Sequence, residues 1–210
     1  MGATIPQVAS RIVRPLGQLR TYRALGYLLV SIPLALVYWF VLGMAVTVSL
    51  LLTVVLVGVP LLVGVLLLVR GFASFERHLV NLVLGLDLEA PDDVRSADGA
   101  FESVRAYVDA PSTWRGLAFV TLRFWVAIVG VILVAIGYQA LRLVSTALIR
   151  PQTVSFGEIN GEPVTWTVVS VPDVALATLV GLALALAVAH LLNGTGYVVA
   201  RMAEGLLAGG

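Results

Sequence analysis

No charged side chain occurs between Arg23 and Arg70, and that silence constrains the chain more than any other feature. The apolar run from Ala24 to Val69 is about twice the ~20 residues that cross a hydrocarbon layer of ~30 Å. Two spans joined by a tight turn fit such a run; a soluble core helix does not. The whole chain shares the bias, with 60% hydrophobic and 12% charged residues, against roughly 25% charged in soluble domains. An integral membrane protein is expected.

Four spans account for the apolar blocks. The first block is expected to divide at Leu42–Gly43–Met44, giving spans over 24–42 and 45–69. Tyr38, Trp39 and Phe40 would then sit at the far interface, where aromatic rings are enriched. Arg123 and Arg142 bracket a third span over 124–141, and Pro172–Asp173 opens a fourth over 174–192. Orientation follows from arginine. Arg11, Arg14, Arg20 and Arg23 precede the first span, and Arg70, Arg77, Arg95, Arg105 and Arg115 separate the second from the third. Only Arg142 and Arg150 lie between the third and fourth. The positive-inside rule places both termini and the central segment in the cytoplasm and the stretch from Arg150 to Val171 outside. No signal-peptide pattern precedes the first span, so that span is expected to direct insertion into the cell membrane. The chain reads as one membrane domain over 1–210.

Outside the spans, Phe72, Phe75, Leu79, Leu82 and Val83 share one helical face. A helix so patterned is expected to lie along the cytoplasmic interface. On the outer side, Asn160-Gly161 separates two β-prone runs, the strongest short hairpin signal. A hairpin over about 153–169 is marginal alone in water. It should pack on the helix ends or on a neighbouring subunit, and Trp166 is its largest anchor. The fold class is all-α membrane protein: four transmembrane helices as two repeated helical hairpins, a cytoplasmic amphipathic helix and a small extracellular β-hairpin.

The repeat is visible in the letters. Tyr22-Arg-Ala-Leu-Gly-Tyr27 before the first span echoes Trp114-Arg-Gly-Leu-Ala-Phe119 before the third, and Val59-Pro60 echoes Val171-Pro172. Both halves then start on one side, as a parallel repeat. At these residues, with Pro33, Arg70-Gly71…Glu76-Arg77 and Leu191-Leu-Asn-Gly194, the chain resembles a sensor domain. That domain stands at the N-terminus of many actinobacterial and haloarchaeal sensor histidine kinases and in stand-alone relatives. The resemblance covers about Arg20 to Gly209 and implies a four-helix input module. No kinase core follows, so output is expected from a partner or from a portion beyond this sequence.

Few residues suggest chemistry. Arg123 lies at the cytoplasmic edge of its span, where its long side chain is expected to reach the headgroups; a functional intramembrane charge is the rival reading. Arg142 mirrors it at the outer edge. His190, near Asn193, is expected to be an interfacial histidine, and a metal pair with His78 is the less favoured reading. Pro33 and Pro60 are expected to kink their helices. Every acidic residue falls outside the predicted hydrocarbon layer, which weighs against a proton-coupled transporter.

No catalytic constellation, metal set or cofactor motif is present, so no enzyme is expected. Cysteine is absent, which excludes disulfides and thiolate sites. The net charge of +1 offers no concentrated basic surface for nucleic acid. The expected role is a non-enzymatic sensor-type input or accessory subunit that passes a change in helix packing to a membrane or cytoplasmic protein partner. Phe72, Phe75, Leu79, Arg123, Arg142, Trp166, His190 and Asn193 are its candidate interface or signalling residues. The alternative is a structural or assembly subunit docking through the outer hairpin. Homo-oligomers fit either role.

Overall fold

A computed structural model describes residues 13–94, 100–149 and 152–209. Arg11, Arg95 and Arg150, used in the orientation argument, lie outside the described residues. Four long helices are present: α1 (Leu19–Leu52), α2 (Gly58–Leu84), α4 (Pro111–Ser145) and α5 (Val171–Leu207). Each is long and apolar enough to cross a membrane. The short helix α3 (Ala100–Asp109) precedes α4, and strands β1 (Gln152–Ile159) and β2 (Glu162–Val168) lie between α4 and α5.

The first apolar block does not divide where expected. Helix α1 passes unbroken through Leu42–Gly43–Met44, and the chain turns at Thr53–Val57, where Leu56 adopts a left-handed φ of 61°. One interior glycine costs a helix only about 1 kcal/mol, so Gly43 cannot end it. Gly58-Val-Pro60 does start one. A side chain at Gly58 would collide with the Ser49 carbonyl and with Thr53, and Pro60 in the first turn has no N–H to lose. Pro60 therefore opens α2 instead of kinking it. Its counterpart Pro172 likewise lies in the first turn of α5. Pro33 lies inside α1 without ending it. Tyr38 and Trp39 fall within α1, not at its far end, and stack on Phe72 and Phe124 at 4.3 and 5.0 Å between ring centroids.

The chain packs as two compact units. Among the described residues, one comprises 13–21, 131–149 and 152–194, the other 22–94, 100–130 and 195–209.

In the first unit the β-hairpin is docked on helices. Asn160 and Gly161 take φ of 55° and 82°, the positive pair that a type I′ turn needs. Ile159 pairs with Glu162 across it, and a bulge interrupts the ladder between Ser155 and Glu158. Val154 and Val168 are fully buried in a cluster with Leu143, Val174 and Ala177, and Trp166 packs against its edge. Gln139 and Arg142 of α4 donate to the Ser155 and Thr153 carbonyls at 2.6 and 2.9 Å. The expectation that the hairpin packs on helix ends holds. Ser170 and Asp173 cap α5 reciprocally, each backbone N–H donating to the other's side chain, as a capping box does.

The second unit has its own core of Tyr27, Ala73, Val80, Phe119, Val199, Ala203 and Leu207. Tyr27 and Phe119, matched positions of the repeat, meet in this one cluster. Their helices do not run the same way here. Trp39 stacks on Phe124, whereas a side chain at Gly130 would touch Leu28. Over residues 111–130, α4 thus runs against α1, which a parallel repeat does not anticipate.

The 72–84 segment is also not a separate interfacial helix. It is the unbroken continuation of α2, whose buried face there includes Val69, Ala73, Glu76, Arg77 and Val80. Phe75 and Leu82 are 50% and 84% exposed, whereas Phe72 stacks on Tyr38 and Leu79 and Val83 pack on the core, so the apolar face is split. Helices in lipid gain little from burying such side chains against one another and close on small ones instead. Gly85, with φ of 73°, ends α2 in the left-handed conformation typical of helix C-termini.

Candidate functional site

The buried polar groups of the second unit converge on one cluster. Arg123 of α4 is the largest fully buried side chain described, and Glu76 of α2 is buried with it. The two form an ion pair, and the same guanidinium donates to the Tyr27 hydroxyl of α1. The guanidinium carbon lies 4.8 Å from the Tyr27 ring centroid, so the ring offers its face as well as its hydroxyl. Three helices are thereby tied at one point. The Tyr38 hydroxyl is also buried and has no hydrogen-bond partner among the described residues.

This arrangement overturns the expectation that Arg123 reaches for headgroups. Glu76, grouped by sequence with residues outside the hydrocarbon layer, is inside the helix packing. Local pattern could not reveal the pair, because the partners are far apart in sequence. One signal was present: Arg123 stands alone in Leu117–Gly137, and Glu76 is the first carboxylate after the N-terminus.

The energetics mark the cluster as special. Desolvating two charges costs about what their attraction returns, so a buried pair contributes little net stability, yet losing one partner costs about 3–5 kcal/mol. Arg123 Nε and Nη2 have no hydrogen-bond partner among the described residues, and buried unsatisfied donors carry a further penalty. Such a cluster specifies one packing and penalises its neighbours.

A second polar network lies at the start of α4. Arg70 Nη1 donates to the hydroxyls of Ser112 and Thr113 at 2.6 and 2.8 Å. Asp93 accepts from the Ser112 hydroxyl and backbone N–H at 2.6 and 2.7 Å. Burial pushes the Asp93 carboxyl up, but the Ser112 bonds and the Arg70 charge outweigh it and hold the group below its ordinary value. Tyr107 of α3 lies under the Arg70 guanidinium, 5.5 Å away.

The remaining sequence candidates are scattered. Phe72 stacks on Tyr38, Phe75 is exposed, and Leu79 packs on the second unit's core. Arg142 and Trp166 hold the hairpin of the first unit. Asn193 Oδ1 lies 3.0 Å from the Thr21 hydroxyl. His190 is on an exposed position of α5 in the first unit, whereas His78 belongs to the second and meets the Ser74 carbonyl at 2.7 Å. The metal pair gains no support.

Four membrane-length helices and a buried ion pair define a multi-pass helical membrane protein. The chain matches the family described as "Putative sensor" over residues 27–207, and it belongs to that family. The match begins at Tyr27 and ends at Leu207, both members of the second unit's core. No curated protein and no solved structure matches it.

Proposed function

We propose that the chain is a non-enzymatic sensor-type input or accessory subunit of the plasma membrane that passes a change in helix packing to a protein partner. The Arg123–Glu76–Tyr27 cluster carries this reading. Packed interfaces switch between discrete arrangements instead of deforming smoothly, and a buried ion pair is best attested as a device that fixes register. A stimulus that favoured another register of α1, α2 and α4 would have to break or re-form this pair. Residues 199–207 of α5 pack in the same core, so a shift there would reach the C-terminal end of the chain.

Orientation in this reading follows arginine placement, with both termini and the central segment cytoplasmic; the opposed run of α1 and α4 over residues 111–130 conflicts with that placement, and cysteine labelling decides between them. A second reading, a structural subunit docking through the hairpin, is favoured by Phe156, Ile159 and Val164, apolar side chains left exposed on the strands.

Capture of the chain from native membranes in mild detergent, with mass spectrometry, separates the two. The sensor reading expects a kinase or regulator to co-purify and its phosphorylation to change when Arg123→Met is introduced. Stoichiometric recovery with a large membrane complex, unaltered by that substitution but lost on altering Phe156 and Ile159, would overturn it in favour of the structural reading.

A further inference from the structure

Arg77 is the charged group that the Arg123–Glu76 cluster leaves unexplained. It is 9% exposed, and among the described residues no carboxylate forms an ion pair with it. Its recorded hydrogen bond is to the Ser74 hydroxyl one turn back, at 3.2 Å. A buried guanidinium without a counter-charge costs several kcal/mol, so its position asks for an anion.

The surroundings supply the place. Arg77 lines a cavity of about 170 Å³ together with Arg70, Ser74, Ser112, Pro91 and Leu207. At roughly 30 Å³ per water, that is room for about six waters. Arg70 and Arg77 bring two positive charges to it. Among the described residues, the carboxylate that pairs with Arg70 is Asp93, which Ser112 already holds and which lies 3.9 Å from Arg70. Arg77 has no ion-pair partner among them. Arg70, Arg77 and Ser74 line one small space, and arginine recognises oxyanions through paired N–H donors.

We propose that this cavity binds a phosphate group, with Arg77 and Arg70 as its principal ligands and the Ser74 hydroxyl as a further donor. Leu206 and Leu207 of α5 form part of its wall, so an occupant touches the central segment, α2 and the C-terminal end of the chain at once. Binding is a property of the chain whether or not it signals, and so stands or falls independently of the sensor reading. The phosphate can come from a free anion or from a phospholipid headgroup; the chemistry at the arginines is the same.

The test uses the full chain in neutral, phosphate-free detergent, titrated with inorganic phosphate by calorimetry and thermal shift. In parallel it is placed in phosphatidylcholine nanodiscs with and without phosphatidic acid. The expected result is saturable stabilisation by one of these probes. Arg77→Gln should weaken it at least tenfold, Arg77→Lys should weaken it less, and Arg115→Gln, at an exposed position outside the cavity, should leave it unchanged. Response to inorganic phosphate identifies a free anion as the source; response to phosphatidic acid alone identifies a headgroup. Should Arg77→Gln fail to fold, Arg77→Lys, which keeps the charge but loses the planar fork, carries the comparison. Failure of both probes to stabilise the native chain, or stabilisation equal in the native chain and in the Arg77 variants, would overturn the proposal.

Discussion

Arg123 and Glu76 form an ion pair in which the side chains are 1% and 0% exposed. Because such a pair is costly to break and nearly neutral to replace, its two single variants and its double variant should behave very differently. Arg123→Met or Glu76→Leu alone should destabilise the protein by about 3–5 kcal/mol, and the double variant should regain most of that loss. Thermal unfolding of the three proteins in one detergent measures this. Additive losses in the double variant would show that the two residues do not depend on each other.

That pair also shows where sequence reading stops. The existence of four long helices was legible because composition alone makes a membrane span, and the Asn160–Gly161 turn was legible because its backbone demands those residues. The faces of the helices were not. Phe72, Phe75, Leu79, Leu82 and Val83 read as one face lying on the membrane interface, but the structure splits them: Phe75 and Leu82 are exposed, whereas Phe72 stacks on Tyr38 and Leu79 and Val83 pack on the second unit's core. In α2 the buried stripe is Val69, Ala73, Glu76 and Val80, because lipid is as good a solvent for phenylalanine as another helix is. The turn at Thr53–Val57 was missed for a related reason. It carries no charged residue, its Thr53 hydroxyl donates back to the Ser49 carbonyl of its own helix, and only the crowding at Gly58 and the proline two residues later identify it.

Asp93 makes stability depend on pH at the start of α4. Its folded carboxyl titrates below the ordinary aspartate value of about 3.9. The unfolded chain therefore binds the proton first, and the Asp93 contribution is fully present above that ordinary value. It is lost as pH falls through the lower folded value. The melting temperature of the native chain should exceed that of Asp93→Asn by a constant amount from neutrality down to about pH 5, and the gap should close only below about pH 4. A gap that instead opens on acidification would contradict the hydrogen bonding from Ser112.

Orientation is open to direct measurement because the chain has no cysteine of its own. Single cysteines at Asp92 and at Ser155, both exposed, sample the central segment and the hairpin. Arginine placement expects an impermeant thiol reagent on intact cells to label residue 155 and spare residue 92. The opposed run of α1 and α4 over residues 111–130 makes the experiment informative in both directions. Labelling of residue 92 with protection of residue 155 would overturn the arginine argument.

Trp166 decides what the hairpin is for. It faces Val154 across the strand pair and packs on the cluster that also holds Leu143 and Val174, so part of its ring is already committed to this chain. Truncating a large aromatic in a packed site costs about 3–5 kcal/mol when burial is complete, and the partial exposure here scales that down. Trp166→Ala should lower the melting temperature of the isolated protein in detergent, while Phe156→Ser and Ile159→Ser, at exposed positions on β1, should leave it within experimental error. If the hairpin also docks a partner, the pattern should invert in the complex. The two β1 substitutions would then release the partner from a chain whose own stability is intact. Trp166→Ala with no effect on melting would mean that the hairpin is held by Val154, Val168 and the Gln139 and Arg142 hydrogen bonds alone. The tryptophan would then be left as a contact for something outside the chain.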